Sequence, residues 1–187
     1  MRIVFVGPPG AGKGTQSQRL LHYLQIPHIS TGDMLRRAIA DHTPEGRRAE
    51  QYMVKGQLVP DDLMLDLVSR RLDSPDCDHG ALFDGFPRTV PQAEALTQML
   101  SNRGTPLDIV IELRVPDAEV IRRMSQRGRE DDRDEVVAER IRAYWNQTRP
   151  LLNFYEQQGL VESVDGLGSP DEVFSRIKRL VAQPKQV

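Results

Sequence analysis

A continuous apolar run, Ile3-Val4-Phe5-Val6, breaks into Gly7-Pro8-Pro9-Gly10-Ala11-Gly12-Lys13-Gly14-Thr15, and a helical pattern carrying Leu20, Leu21 and Leu24 follows. Apolar residues without alternation read as a parallel strand covered on both faces. Gly10, Gly12 and Gly14 allow backbone conformations closed to other residues, so successive N–H groups can turn toward one anion. The spacing matches G-x-x-x-x-G-K, but Gly14 stands where the general pattern has Ser or Thr, and the hydroxyl comes one residue later on Thr15. Strand, turn and helix in this order put Lys13 at the positive end of a helix, within reach of bound phosphates. This block alone demands an α/β fold built round a phosphate site.

The remaining pattern extends that fold. Ile26 to Ile29 reads as a short extended piece, and Ser30-Thr31-Gly32-Asp33 starts a helix with the spacing of a capping box. Thr43-Pro44-Glu45-Gly46 reads as punctuation before a polar helix from about Arg47 to Lys55. Pro60-Asp61-Asp62 opens a helix, with acids near the positive end of its dipole. Ala81 to Phe83 is a buried strand ending at Asp84-Gly85, Pro91 to Asn102 a helix, and Leu107 to Val115 a strong strand. Pro116-Asp117 starts another helix, Leu160 to Val164 is a last strand, and Val173, Ile177, Leu180 and Val181 mark a terminal amphipathic helix. Strands alternating with helices, without an Asn-Gly hairpin signal, give a five-stranded parallel sheet between two helical layers. Residues 30–59 and 127–138 are too polar for core and read as insertions over the carboxyl ends of the strands, where open α/β sheets bind ligands.

Composition removes several alternatives. The 187 residues suit one domain, and the single cysteine, Cys77, can neither close an intrachain disulfide nor build a thiolate zinc ribbon, which fits a reducing cytosol. The apolar opening run is too short for a signal sequence or a membrane span, so a soluble chain is expected. There are 21 arginines against four lysines. Arginine's planar fork suits bidentate capture of phosphate or carboxylate. Seven arginines lie between residues 122 and 142, interleaved with six carboxylates over 130–139, and aromatics are sparse there. With a net charge of −2, that argues against a nucleic-acid groove.

Gly7 to Thr15, Ser30 to Arg36, Gly56-Gln57-Leu58-Val59-Pro60-Asp61, Phe83 to Thr89, Gln92 and the arginines of 123–140 occur in one order over nearly the whole chain. That order resembles the nucleoside monophosphate kinases, and in detail the adenylate kinase family. The resemblance implies a P-loop NTPase-like three-layer fold with core segments 1–29, 60–126 and 139–187, a nucleotide-monophosphate-binding insertion at 30–59 and a short lid at 127–138. It implies the reaction ATP + AMP ⇌ 2 ADP with magnesium, in a cytoplasmic monomer with no membrane or nucleic-acid partner. On the donor side it implies that Gly10, Ala11, Gly12, Lys13, Gly14, Thr15, Arg127 and Gly168 bind ATP. On the acceptor side it implies Thr31, Arg36, the backbone of Gln57 to Val59 and of Gly85, Phe86, Pro87 and Arg88, Gln92, Arg129 and Arg140 for AMP. Lys13, Arg88, Arg123, Arg127, Arg129 and Arg140 are the implied catalytic groups. Asp84 is placed at the magnesium site through water, and the short lid implies no structural zinc.

Other readings stay open at this level. Of Arg36 and Arg37, adjacent on one helix, one is a solvated charge, and Arg122, Arg133 and Arg142 face solvent or pair with Glu130, Asp131, Asp132 and Asp134. A pyrimidine monophosphate kinase shares much of the framework, although Thr31 with Gln92 favours an adenine acceptor. A GTP-binding switch would want an Asn-Lys-x-Asp motif, which is absent.

Overall fold

The structure, a computed structural model, describes residues 1–127 and 133–182, with Arg127 described in its backbone only. Five strands, β1 (Arg2–Val6), β2 (His28–Ser30), β3 (Ala81–Asp84), β4 (Ile109–Arg114) and β5 (Val161–Asp165), form one parallel sheet in the order β2-β3-β1-β4-β5. Successive strand side chains point to opposite faces, and two apolar clusters result. Val4, Val6, Phe83 and Val110 pack with α3 (Pro44–Met53), α4 (Asp61–Leu72), α5 (Val90–Asn102) and α8 (Leu151–Glu156). Ile3, Phe5, Leu82 and Ile111 pack with α1 (Lys13–Leu24), α6 (Asp117–Arg127), α7 (Asp134–Ala143) and α9 (Pro170–Ala182). Burial on both faces is why the strands lack alternation.

Adjacent strands β1 and β3 send their helices to opposite faces, since Leu20 of α1 joins one cluster and Leu96 of α5 the other. A crevice therefore opens between their carboxyl ends, at the residues that follow Val6 and at Asp84.

Helix α2 (Thr31–Ala40) starts as the sequence suggests, with Ser30 Oγ accepting from the Asp33 N–H at 3.4 Å. The next boundary differs. Thr43-Pro44-Glu45-Gly46 is itself the start of α3: Thr43 Oγ1 accepts from the Gly46 N–H at 3.0 Å, and Pro44 occupies the first helical turn. Proline is suited there because its missing N–H has no helical partner to lose. The 30–59 stretch also contributes to the core, through Leu35, Ala49 and Val59. Beyond α7 the helix widens into a π turn, Tyr144–Thr148, before α8, and none of these three elements is foreseen by the sequence pattern.

Candidate active site

After β1 the chain turns through Gly10 (φ 80°) and Gly12 (φ 96°), both left-handed, and enters α1 at Lys13. A side chain at Gly10 would also meet Met124 Cγ at 2.8 Å, so the loop lies closely under α6. Gly14 corrects the sequence expectation: it has no left-handed backbone, and an added Cβ would find only Asp84 Oδ2, at 3.9 Å. Its small size keeps the space before Asp84 open. Lys13 Nζ donates to the carbonyls of Gly7 (2.8 Å) and Pro8 (3.0 Å), holding the amine across the loop.

Asp84 ends β3 opposite Phe5 and is largely buried. Burial would raise its carboxyl pKa, but His28 beside it and the charges of Lys13 and Arg88 hold it below the ordinary aspartate value. His28 Nε2 lies 3.6 Å from Asp84 Oδ2. A carboxylate kept ionised at the mouth of a phosphate loop fits magnesium, which takes one or two carboxylates and fills its shell with phosphate oxygens and water. Among the described residues, no group of three or more His, Cys, Asp or Glu could hold a metal ion by itself.

A cleft of about 850 Å³ runs from this loop past Asp84 to Gly166 and Gly168. A second pocket is lined by Thr31, Gln57, Leu58, Val59, Gly85 and Gln92. Arg36, Arg88 and Arg140 line both. A small cavity lined by Pro87, Arg140 and Tyr144 sits behind their junction. Phe86 is wholly buried in the core cluster and can offer a ligand only its backbone.

Arg88 Nε donates to the Gly85 carbonyl at 2.8 Å. Burial pulls its guanidinium pKa below the ordinary arginine value; Asp84 opposes that shift and Arg36 adds to it. Arg36 is paired with Asp33, whereas Arg37 is 87 % exposed, so Arg37 is the solvated member of the pair. Gln92 Oε1 accepts from the Arg88 N–H (2.7 Å) and its Nε2 donates to Asp61 Oδ1 (2.6 Å). An amide oxygen has two lone pairs and the amide nitrogen two protons, so one of each is left for a ligand. Thr31 is buried beside Gly85, where an added Cβ would stand 3.0 Å from Thr31 Oγ1.

Arg123 lines the donor cleft. Its Nε donates to Glu119 Oε1 (2.7 Å), its NH1 to the Ala11 carbonyl (3.3 Å) and its NH2 to the Gly166 carbonyl (3.0 Å). Arg122 pairs with Glu119 and Arg142 with Glu139, carboxylates other than those expected, and both arginines are mostly exposed. Arg133 is exposed. The Arg127 side chain and all of Arg129 lie outside the described residues, as do Glu130, Asp131 and Asp132.

Sequence spacing missed His28, Asp61 and Glu119, whose roles depend on partners in other elements or on which way a helix faces. The hydrogen bonds from Arg122, then those from Arg123, draw the Glu119 carboxyl down to about 2. Such a lowered group contributes stability that is present above its ordinary value of 4.5 and lost as pH falls toward about 2. Accordingly, the stability advantage of the parent over Glu119→Gln shrinks across that window in thermal melts taken at successive pH values. A difference that grows on acidification would contradict the assignment.

A phosphate loop at the switch point of a parallel sheet, facing an arginine-lined pocket across one carboxylate, defines a phosphotransferase of the nucleoside monophosphate kinase class. The family model for adenylate kinase matches residues 5–160. The chain is 50 % identical over 176 residues to an adenylate kinase of Mycobacterium ulcerans, covering 94 % of this chain and 96 % of that one. It is 46 % identical to adenylate kinases of Mycobacterium tuberculosis and of Xanthomonas oryzae pv. oryzae, covering 98 % of this chain and 100 % of each relative. The chain belongs to the adenylate kinase family. Among the described residues no helix is long and apolar enough to cross a membrane.

Proposed function

We propose that this chain transfers the terminal phosphoryl group of ATP to AMP, reversibly and with magnesium, giving two ADP. The observation that carries this reading is the sharing of Arg36, Arg88 and Arg140 between the donor cleft and the acceptor pocket. Two nucleotides laid in those spaces meet, phosphate to phosphate, at guanidinium groups. Phosphoryl transfer asks a protein chiefly for alignment, charge neutralisation and exclusion of water.

In this reading the N–H groups of Gly10 to Thr15 cradle the ATP phosphates, and Lys13 moves from the loop carbonyls to the outer phosphates. Asp84 would hold magnesium through water, and the ion would supply neutralisation of the phosphate charge there. Thr31 and the open valences of Gln92 take the adenine of AMP, with the backbone of Gln57 to Val59 and Gly85 to Arg88 round it. Arg36 and Arg88 hold the AMP phosphate. Arg127 serves ATP and Arg129 the AMP side from a short lid at 127–138 that closes opposite the 30–59 insertion, and Arg140 serves the AMP side from α7. Gly168 offers its main chain to the ATP base. Arg123, on the wall of the donor cleft, is among the arginines that gather round the transferring phosphoryl group. The enzyme works as a cytoplasmic monomer without zinc.

A coupled assay with ATP, magnesium and AMP, UMP or CMP tests the acceptor. AMP is preferred by a wide margin, and equal turnover of UMP or CMP would replace the reading with a pyrimidine kinase. Removing zinc with a chelator while free magnesium is maintained leaves activity and fold unchanged. A loss of folding under that treatment would contradict the zinc-free lid.

A further inference from the structure

Gln92 is a buried polar residue in the first turn of α5, and it lines the acceptor pocket. Two partners of opposite kind hold its amide. The Arg88 backbone N–H can only donate, and Oε1 accepts from it at 2.7 Å. The Asp61 carboxylate can only accept, and Nε2 donates to its Oδ1 at 2.6 Å. Exchanging the amide oxygen and nitrogen would set two donors against each other at one end and two acceptors at the other. The amide is therefore locked in one sense. Asp61 is itself steadied, because it is the first residue of α4 and its Oδ2 accepts from Thr89 Oγ1, the cap of α5, at 3.3 Å. Its neighbour Asp62 pairs with Arg48 instead.

An amide that cannot turn over reads one pattern only. The remaining lone pair on Oε1 and proton on Nε2 match adenine, whose exocyclic amino group donates and whose neighbouring ring nitrogen accepts. Hypoxanthine and guanine reverse both: the carbonyl accepts and the ring N–H donates. A glutamine free to flip would serve either pattern. We propose that Asp61 is a positioning residue that sets the selectivity of the acceptor site: by fixing the sense of the Gln92 amide it makes the pocket reject oxopurine monophosphates. The inference rests on the AMP reading of this pocket given above. With asparagine at position 61 the partner can itself present an oxygen or an NH2 group, and only the Arg88 N–H still holds the sense of Gln92.

Three acceptors separate the possibilities: AMP, inosine monophosphate, and purine riboside monophosphate, which carries hydrogen in place of the amino group. With ATP and magnesium, kcat/KM for each is measured on the full chain, on Asp61→Asn and on Asp62→Asn, the control that removes a carboxylate from the same helical turn. The lock predicts that the unaltered chain uses inosine monophosphate less well than purine riboside monophosphate, because an opposed pair is worse than a missing one. Asp61→Asn lowers the preference for AMP over inosine monophosphate about tenfold, the size of one hydrogen bond to a charged group. The same substitution made in Gln92→Ala leaves that variant's preference unchanged, and Asp62→Asn keeps the preference of the unaltered chain. Equal loss with both acceptors in Asp61→Asn, or a shift in preference that persists without Gln92, overturns the proposal. So does better use of inosine monophosphate than of purine riboside monophosphate by the unaltered chain, a result that needs no variant to fold. Thermal melts confirm that folded proteins are compared. If the unaltered chain phosphorylates AMP and Asp61→Asn leaves the preference intact, only the role of Asp61 falls; if AMP is not phosphorylated at all, the functional reading falls first and takes this assignment with it.

Discussion

Arg88→Ala lowers turnover by roughly 10²- to 10³-fold while the protein stays folded. The magnitude is that of removing one preorganised donor aimed at developing charge in a water-poor site. Arg88 answers to this argument more directly than any other described arginine, because it lies half-buried where both nucleotide spaces meet and its Nε is already aligned by the Gly85 carbonyl. The fold survives because the bond that anchors the start of α5 runs from the Arg88 backbone N–H to Gln92 Oε1, and alanine keeps it. Loss of the guanidinium also removes one of the charges that hold the Asp84 carboxyl below its ordinary value. Arg88→Lys restores a charge but not the planar fork, and recovers only part of the rate. Steady-state kinetics with melting curves for both variants check this; near-normal ADP formation by Arg88→Ala would remove the residue from the mechanism.

The second large effect is on stability. Gly46 lies in the first turn of α3, packed so closely on α2 that an added Cβ would stand 2.1 Å from the Ala38 oxygen, 2.3 Å from the Ala38 carbonyl carbon and 2.6 Å from the Ile39 nitrogen. All three are backbone atoms, which cannot turn aside as a side chain can. Gly46→Ala therefore forces α2 and α3 apart and costs about 3 kcal/mol, the upper end of ordinary overpacking. For a domain of this size that is a fall of roughly 6–12 °C in the melting midpoint. Because α3 leads into Gln57, Leu58 and Val59, the KM for AMP rises while that for ATP changes little. An unchanged midpoint would mean that the two helices are free to separate without cost.

How much of this was readable from sequence follows from how local each feature is. The phosphate loop was legible because left-handed turns at Gly10 and Gly12 and an adjoining apolar strand are demands of consecutive residues. The sheet was legible because strands buried on both faces leave runs without polar interruption. Gly14 reads from the sequence like Gly10 and Gly12, because a glycine can serve backbone freedom or mere smallness and spacing does not tell them apart. Pro44 reads from the sequence as a break, but with Thr43 before it as the cap it opens α3. Glu112 shows the same limit. It is buried within a strand that otherwise reads as apolar, and what stabilises it is Arg114 at 2.8 Å and Ser163 of the neighbouring strand at 2.7 Å. Burying a carboxylate needs such partners, and Ser163 is far away in the chain. Glu119 reads from sequence as one more surface acid on a charged helix; only the approach of α6 to the phosphate loop makes its grip on Arg123 matter.

The central claim, that two nucleotides lie end to end across shared arginines, is tested most directly by the stoichiometry of binding. The full chain is saturated with a non-hydrolysable ATP analogue and magnesium, and AMP is then titrated in by calorimetry. One AMP per chain binding without release of the analogue, and lost in Arg88→Ala, is the expected result. AMP that binds only by displacing the analogue would show a single nucleotide space and contradict the account.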